Sequence, residues 1–172
     1  MERLDLYNQH DEPLHETIDR NALKGAQAYV RVVHVWLYFP DGTYLIQQRN
    51  KPSDPIPYQF ATTTGMPVMG ESPSACALRE VEEELGLRLE PSTLSLYDKL
   101  TTHTGPYKTI TYRYFAPLVT MPSADQLDAT EVKAIERVRL STIEQMVEDT
   151  LFWNYEKLLK APGYFKALDV KR

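Results

Sequence analysis

Residues 72–86 carry the sequence signals of both ends of an α-helix. Ser72 is a suitable N-cap, and Pro73 suits the first helical position, where no backbone N–H is needed. Gly86 suits the left-handed conformation that follows the last helical residue. We therefore predict a helix over residues 72–85.

The predicted helix has an apolar stripe and an acidic face. Leu78, Val81 and Leu85 form the stripe, and three glutamates project from nearly the opposite side: Glu80, Glu83 and Glu84. Like charges at these spacings cost roughly 0.2–0.5 kcal/mol per pair, and the helix dipole disfavours anions near the C-terminal end. A divalent cation would remove both penalties, and clustered carboxylates suit Mg²⁺ or Mn²⁺. A solvated acidic face is the alternative interpretation.

Segments rich in β-branched and aromatic residues surround this helix. Residues 30–39 and 43–48 flank the turn formed by residues 40–42, which predicts a β-hairpin. Further strands are predicted over residues 93–102, 109–119 and 135–140, and a small N-terminal hairpin over about residues 3–18. The hairpins require antiparallel pairs, so we predict an α/β fold with a mixed sheet and helices packed on its faces.

Two less regular regions complete the prediction. Three prolines make residues 50–58 an irregular surface loop. Ser141 is predicted to cap a C-terminal helical region that runs, with a break, over about residues 141–160.

Length and composition describe an ordinary globular chain. Its 172 residues suit a single domain over residues 1–172, and no apolar run approaches the roughly 20 residues needed to cross a bilayer. Cys76 is the only cysteine, which favours a reducing compartment, and we expect a cytoplasmic protein with no membrane partner. The net charge of −5 argues against duplex nucleic acid as a partner.

The loop before the predicted helix extends the acidic cluster into a longer motif. Gly65 is followed after five residues by Glu71, and seven more residues lead to Arg79, Glu80 and Val81. After one residue come Glu83 and Glu84, and after one more Gly86 and Leu87. This spacing resembles the full signature of the Nudix (MutT-like) hydrolases.

The resemblance implies a fold and a metal site. Nudix proteins fold as an α/β/α sandwich around a mixed sheet, with the motif forming a loop, a helix and a second loop. By position, Glu80, Glu83 and Glu84 would bind Mg²⁺ or Mn²⁺, joined by the backbone carbonyl of Thr64. Glu71 and Arg79 would hold the loop and the helix in register.

The resemblance also implies pyrophosphatase chemistry, in which a metal-activated water attacks a diphosphate. Within the helix, Glu83 or Glu84 is expected to accept the proton of that water. Some family members use a later residue, for which Glu131 and Glu136 are the candidates here, each with simple solvation as its alternative.

The expected partner is a small-molecule diphosphate, by default a nucleoside diphosphate linked to another moiety. Arg49, Lys51 and Gly65 are the predicted substrate-binding residues, and surface solvation is the alternative for Lys51. Aromatic side chains that could stack on a base, or simply pack in the sheet, are Tyr58, Phe60, Tyr107 and Tyr112. An apolar patch near the C-terminus favours core packing or a homodimer contact; it comprises Leu151, Phe152, Trp153 and Tyr155.

Two rival functions remain open at the level of sequence. The flanking residues look most similar to a Nudix branch allied with isopentenyl-diphosphate isomerase, notably Tyr7, residues 34–36 and residues 47–49. The catalytic cysteine of that isomerase would fall at Thr64 and its metal-binding histidine at Met66, which argues against isomerase chemistry. The second rival is a catalytically silent Nudix domain that senses a ligand, but such domains commonly lose the motif glutamates retained here.

Overall fold

The computed structural model of the protein describes residues 2–53, 57–103 and 106–152. Within this part of the chain, the strands and helices are β1 (Arg3–Tyr7), β2 (Pro13–Asp19), β3 (Tyr29–Tyr38), β4 (Thr43–Arg49), β5 (Phe60–Ala61), β6 (Thr63–Gly65), α1 (Pro73–Leu85), β7 (Ser95–Thr102), β8 (Lys108–Pro117), β9 (Val132–Arg139) and α2 (Leu140–Glu148).

Strand β3 is the centre of a mixed sheet. It pairs in parallel with β8 along its whole length, from Tyr29 opposite Lys108 to Tyr38 opposite Pro117. It also pairs antiparallel with β1, β6 and β4. The remaining pairs are antiparallel: β4 with β5 and β9, β7 with β8, and β1 with β2. The predicted mixed sheet is confirmed, and both predicted hairpins are present.

The two helices cover opposite faces of the sheet. Alternate β3 residues such as Val35 and Leu37 pack in one buried cluster with α1, including Ala77 and Val81. Trp36, which points the other way, packs in a second cluster with residues of α2. The predicted α/β/α arrangement is therefore confirmed.

Both ends of α1 lie where the sequence predicts them. Ser72 Oγ accepts a hydrogen bond from the Ala75 N–H at 3.1 Å, which satisfies one of the free N–H groups of the first turn. At the other end, Gly86 adopts a φ of 66°, and its N–H donates to the Glu82 carbonyl at 2.9 Å.

The inner face of α1 differs from the predicted stripe. Val81 and Leu85 are buried, but Leu78 is only half-buried, and Ala77 and Glu84 lie on the inner face. The prediction was therefore wrong in placing Leu78 on the buried stripe and Glu84 on the opposite, acidic face.

The C-terminal elements begin earlier than predicted. Strand β9 starts at Val132, and α2 starts directly after it at Leu140. The capping position is Arg139, which makes no side-chain capping hydrogen bond, so the prediction that Ser141 caps this helix was wrong. Leu140 is buried while Ser141 is exposed in the first turn, so burial of Leu140 explains the earlier start. Helix α2 ends at Glu148, residues 149–152 are not helical, and the rest of the predicted continuation to residue 160 lies outside the described residues.

The apolar patch near the C-terminus divides between core and surface. Phe152 is buried and stacks on Trp36 with ring centroids 6.2 Å apart, whereas Leu151 is exposed. Trp153 and Tyr155 lie outside the described residues, and the homodimer contact stays a prediction. In the part of the chain that the structure describes, neither helix has the length and apolar character of a membrane span.

Candidate active site

Arg79 ties the motif loop to the glutamates of α1. Its Nε and Nη2 donate to the two carboxylate oxygens of Glu71 at 2.8 and 2.9 Å. Its Nη1 donates to Glu80 Oε1 and Glu83 Oε2, both at 2.9 Å. Glu71 also accepts the Val68 N–H at 3.0 Å. Burial alone would raise the pKa of Glu71, but the bonds from Arg79 and Val68 outweigh it and hold that pKa below its ordinary value.

Glu80 lies against the glycine that opens the motif. A Cβ placed on Gly65 would lie 2.2 Å from Glu80 Oε1, so the absence of a side chain at Gly65 makes room for this carboxylate. The Glu80 side chain is only 14% exposed. Burial raises the pKa of Glu80, although the positive charges of Arg79 and Arg20 oppose the shift.

Glu84 is a buried carboxylate on the inner face of α1. Gln47 Nε2, from β4, donates to Glu84 Oε2 at 2.6 Å, and Gln47 Oε1 accepts from the Thr63 hydroxyl at 3.2 Å. Burial raises the pKa of Glu84 to about 8, and the hydrogen bond from Gln47 and the charge of Arg49 only partly offset that effect. Glu83, by contrast, is 58% exposed.

These carboxylates meet one test for a divalent-cation site, although they do not form a compact cage. Among the described residues, no three acidic, histidine or cysteine side chains converge closely enough to hold a metal ion. Glu84 is nevertheless buried and the Glu80 side chain is only 14% exposed, and burial raises the pKa of both because nearby cations do not fully compensate the charged form. Carboxylate oxygens are the donors that Mg²⁺ and Mn²⁺ prefer, so the residues present fit such an ion. Thr64 lies in β6 opposite His34, directly before Gly65.

The loop after β4 is tied to the segment that precedes β9. Lys51 Nζ lies 2.5 Å from Glu131 Oε2, and the Asn50 N–H donates to the Glu131 carbonyl at 2.8 Å. The charge of Glu131 also contributes to the raised pKa of Glu84, after burial. The structure therefore brings Glu131 towards the helix glutamates and pairs it with Lys51.

Glu136 does not join this group. It is exposed in β9 opposite Ile46, and Ile46 belongs to the buried cluster on the α2 side of the sheet. Cross-strand partners share a face, so Glu136 lies on the face opposite α1. The sequence could not separate Glu136 from Glu131, because strand register decides the difference.

Arg49 and an unpredicted residue, Arg20, supply positive charge beside the glutamates. The charge of Arg49 lowers the pKa of Glu84, and the charge of Arg20 lowers that of Glu80, each after larger effects. Both arginines oppose the burial that raises the pKa of Tyr107. Arg20 could not be predicted from the sequence, because it directly follows the N-terminal hairpin, far from the motif along the chain.

The other aromatic candidates lie elsewhere. Tyr112 is buried and donates a hydrogen bond to Asp11, and Phe60 packs against the cluster on the α2 side. Tyr58 is exposed beneath Lys133 Nζ, which lies 4.3 Å from its ring centroid. Tyr107 packs beside Met66, which is buried at the position of the isomerase histidine.

Comparisons with known proteins identify the family and the fold. The family model described as NUDIX domain matches residues 28–161. An uncharacterized Nudix hydrolase of Listeria innocua is 34% identical over 93 residues, which cover 54% of this chain and 55% of the relative. The chain thus spans about half the length of the curated relatives it matches.

Two solved structures show the same fold at low identity. DR0079 from Deinococcus radiodurans has a TM-score of 0.71 at 22% identity, covering 88% of this chain and 91% of that one. The NUDIX domain of Shewanella oneidensis NrtR complexed with ADP ribose has a TM-score of 0.60 at 17% identity, covering 83% and 90%. None of these matches is named as an isomerase, so the isomerase-like branch is not confirmed.

Proposed function

Since this chain belongs to the Nudix family, we propose that it is a Mg²⁺-dependent hydrolase that cleaves a diphosphate bond in a small-molecule substrate. The observation that carries this proposal is the placement of two acidic groups away from solvent on the motif helix: Glu84 is buried, and the Glu80 side chain is only 14% exposed. A fold that needed only an amphipathic helix would not bury two acidic side chains there, because burial without compensation is costly.

The proposed ligands of the cation are Glu80, Glu83 and Glu84, with the carbonyl of Thr64. When bound, a divalent cation neutralises the diphosphate and lowers the pKa of a coordinated water. Arg79 holds Glu80 and Glu83 on one guanidinium nitrogen, which fixes their separation before substrate arrives. Gln47, in strand β4, likewise holds Glu84 in position through its hydrogen bond to Oε2.

Proton transfer is assigned to the exposed glutamate of the motif. Glu83 reaches solvent, and Arg79 holds one of its oxygens, Oε2. The attacking water can therefore deliver its proton to the Glu83 carboxylate. Glu131 is the second candidate for this role, and it would first have to part from Lys51.

The proposed substrate class is a nucleoside diphosphate linked to another moiety. The NrtR domain that shares this fold was solved with ADP ribose, a molecule of that class. In this chain, Arg49 lies close enough to Glu84 to affect its pKa, and a guanidinium there suits a phosphate group. Lys51 would join Arg49 at the phosphate after leaving Glu131. This exchange is favoured because ion pairs between partly exposed side chains are weak.

The test is hydrolysis of a panel of nucleoside diphosphate sugars, dinucleotides and isopentenyl diphosphate with Mg²⁺, followed by ³¹P and ¹H NMR. The Glu83→Gln protein should lose at least about 10²-fold in kcat, the usual scale for a general base. Glu82→Gln is the matched control, because Glu82 is an exposed neighbour on the same helix that pairs with Arg88.

The other outcomes would contradict the role of Glu83 or indicate a different function. Equal activity of the two variants would remove Glu83 from the mechanism. Migration of the double bond in isopentenyl diphosphate without cleavage would establish an isomerase. Binding of the nucleotides without any turnover would establish a ligand-sensing domain.

A further inference from the structure

The N-terminal hairpin is fastened to the motif loop. The Met69 N–H donates to the Arg3 carbonyl, and the Gly70 N–H donates to Asp5 Oδ2, both at 2.8 Å. Ile18, near the end of β2, packs against the buried cluster that contains Met66, the residue after Gly65. The end of β2 therefore lies beside the start of the motif.

The position of Arg20 follows from this contact. It lies two residues after Ile18, and its N–H donates to the Glu2 carbonyl at 3.0 Å. Its Nη1 forms an ion pair with Glu2 Oε2 at 2.6 Å, in which the two side chains are 45% and 37% exposed. An ion pair this exposed is readily exchanged for another anion.

The guanidinium of Arg20 lies within electrostatic reach of the candidate site, as that of Arg49 does. Its charge acts on Glu80, while that of Arg49 acts on Glu84, and both act on the phenol of Tyr107. Two cations thus approach the acidic pair from separate elements, the hairpin and the end of β4. A diphosphate carries two anionic groups, and two guanidinium groups can each bind one of them.

We propose that Arg20 is a substrate-binding residue, which receives one phosphate of the diphosphate while Arg49 receives the other. This inference rests on the proposed function. Arg20 lies outside residues 28–161, the part matched by the family model, so the proposed contact would come from a segment that precedes the matched region.

Steady-state kinetics on the diphosphate that the hydrolysis panel identifies as a substrate provide the first test. Arg20→Gln should raise KM at least about tenfold with little change in kcat, the signature of lost ground-state binding, and Arg20→Lys should recover part of the loss. Glu2→Gln is the matched control, since it removes the same ion pair from the other side. It should leave KM unchanged or lower it, because it frees the guanidinium for substrate.

An equal rise of KM in the Arg20→Gln and Glu2→Gln proteins would overturn the inference and reduce Arg20 to an anchor of the hairpin. An unchanged KM in Arg20→Gln would overturn it as well.

Calorimetric binding of methylenediphosphonate with Mg²⁺ separates this inference from the proposed function. This non-hydrolysable diphosphate should bind the wild-type and Glu2→Gln proteins alike, and the Arg20→Gln protein at least about tenfold more weakly. If the wild type hydrolyses no diphosphate but shows this pattern, the inference holds and the proposed function fails. If hydrolysis is found and the three affinities are equal, or if the wild type does not bind the probe, the inference fails.

Discussion

The carboxylate of Glu80 occupies the space that a side chain at Gly65 would fill. A Cβ built on Gly65 would lie 2.2 Å from Oε1 and 2.3 Å from Cγ of Glu80, far inside van der Waals contact. Gly65, the first glycine of the motif, is thus required by the space that the Glu80 side chain occupies rather than by a tight turn.

Gly65→Ala should therefore displace Glu80 and lower kcat by at least about tenfold. Displacing a catalytic group by about 1 Å has effects of this size or larger. It should also destabilise the fold by about 1–3 kcal/mol, the usual cost of overpacking. Steady-state kinetics and urea unfolding measure the two effects. In a Glu80→Ala background the obstructing side chain is gone, so the same glycine substitution should cost little stability. An equal cost in both backgrounds would show that the steric conflict lies elsewhere.

Replacing Arg79 by lysine should be damaging despite conserving the charge. Lysine cannot reproduce the paired bonds to Glu71 together with those to Glu80 and Glu83, so we expect a loss of about 1–3 kcal/mol in the free energy of unfolding. Arg88→Lys is the control, because Arg88 is 86% exposed and bonds only Glu82 among the contacts described. Its effect should stay within about 0.5 kcal/mol in chemical denaturation. Equal losses would contradict a special role for the Arg79 network.

Asp11 should make part of the stability dependent on acid pH. Its side chain is 11% exposed and binds Arg31 at 2.7 Å, Lys99 at 2.9 Å and the Tyr112 hydroxyl. Burial alone would raise the pKa of Asp11, but these hydrogen bonds outweigh it and hold that pKa below the ordinary value of 3.8. The folded state therefore binds the proton less readily than the unfolded chain, so the stabilisation is complete above pH 3.8 and is lost as the pH falls through the folded pKa.

Urea unfolding between pH 7 and pH 2.5 tests this expectation. Asp11→Asn should be less stable than wild type by about 1–3 kcal/mol at pH 7, and the gap should narrow below about pH 4. Glu16→Gln, an exposed change in the same hairpin, should leave the profile unchanged. A gap that is constant over the whole range would show that Asp11 acts only through its shape.

Cys76 should resist alkylation in the folded protein. Its side chain is fully buried, and burial raises the pKa of its thiol, so both access and thiolate formation are suppressed. Labelling with iodoacetamide at pH 8 should be on the order of 10²-fold slower than in denaturant. Ala75→Cys in a Cys76→Ala background moves the thiol to an exposed neighbouring position on the helix and should label rapidly. Rapid labelling of the wild type would show that the helix opens easily.

Local sequence signals predicted the frame of the site well. The cap at Ser72, the stop at Gly86 and the hairpin around residues 40–42 depend on neighbours along the chain, and each lies where expected. The mixed sheet followed from those hairpins.

The parts that sequence could not predict depend on distant partners. Glu84 turns inward because Gln47, on another strand, donates to it, and no helical wheel contains that information. Glu131 precedes β9 and Glu136 lies within it, so the difference between them depends on where β9 begins and on its register against β4. The proposed role of Arg20 depends on hydrogen bonds between the hairpin and the motif loop, such as that from Gly70 to Asp5, which are 65 residues apart in the sequence.

The parallel pairing of β3 with β8 has a consequence for folding. Its partners, such as Tyr29 and Lys108, lie roughly 80 positions apart, and the whole motif lies in the chain between them. Closing so long a loop is an entropically expensive, late step, and α1 has no complete surface to pack on until it is made. A nascent chain that has emerged only as far as β7 already contains Glu80, Glu83 and Glu84, yet it lacks β8, whose residues complete the buried cluster beneath their helix. Assembly of the acidic centre should therefore wait until β8 has been synthesised.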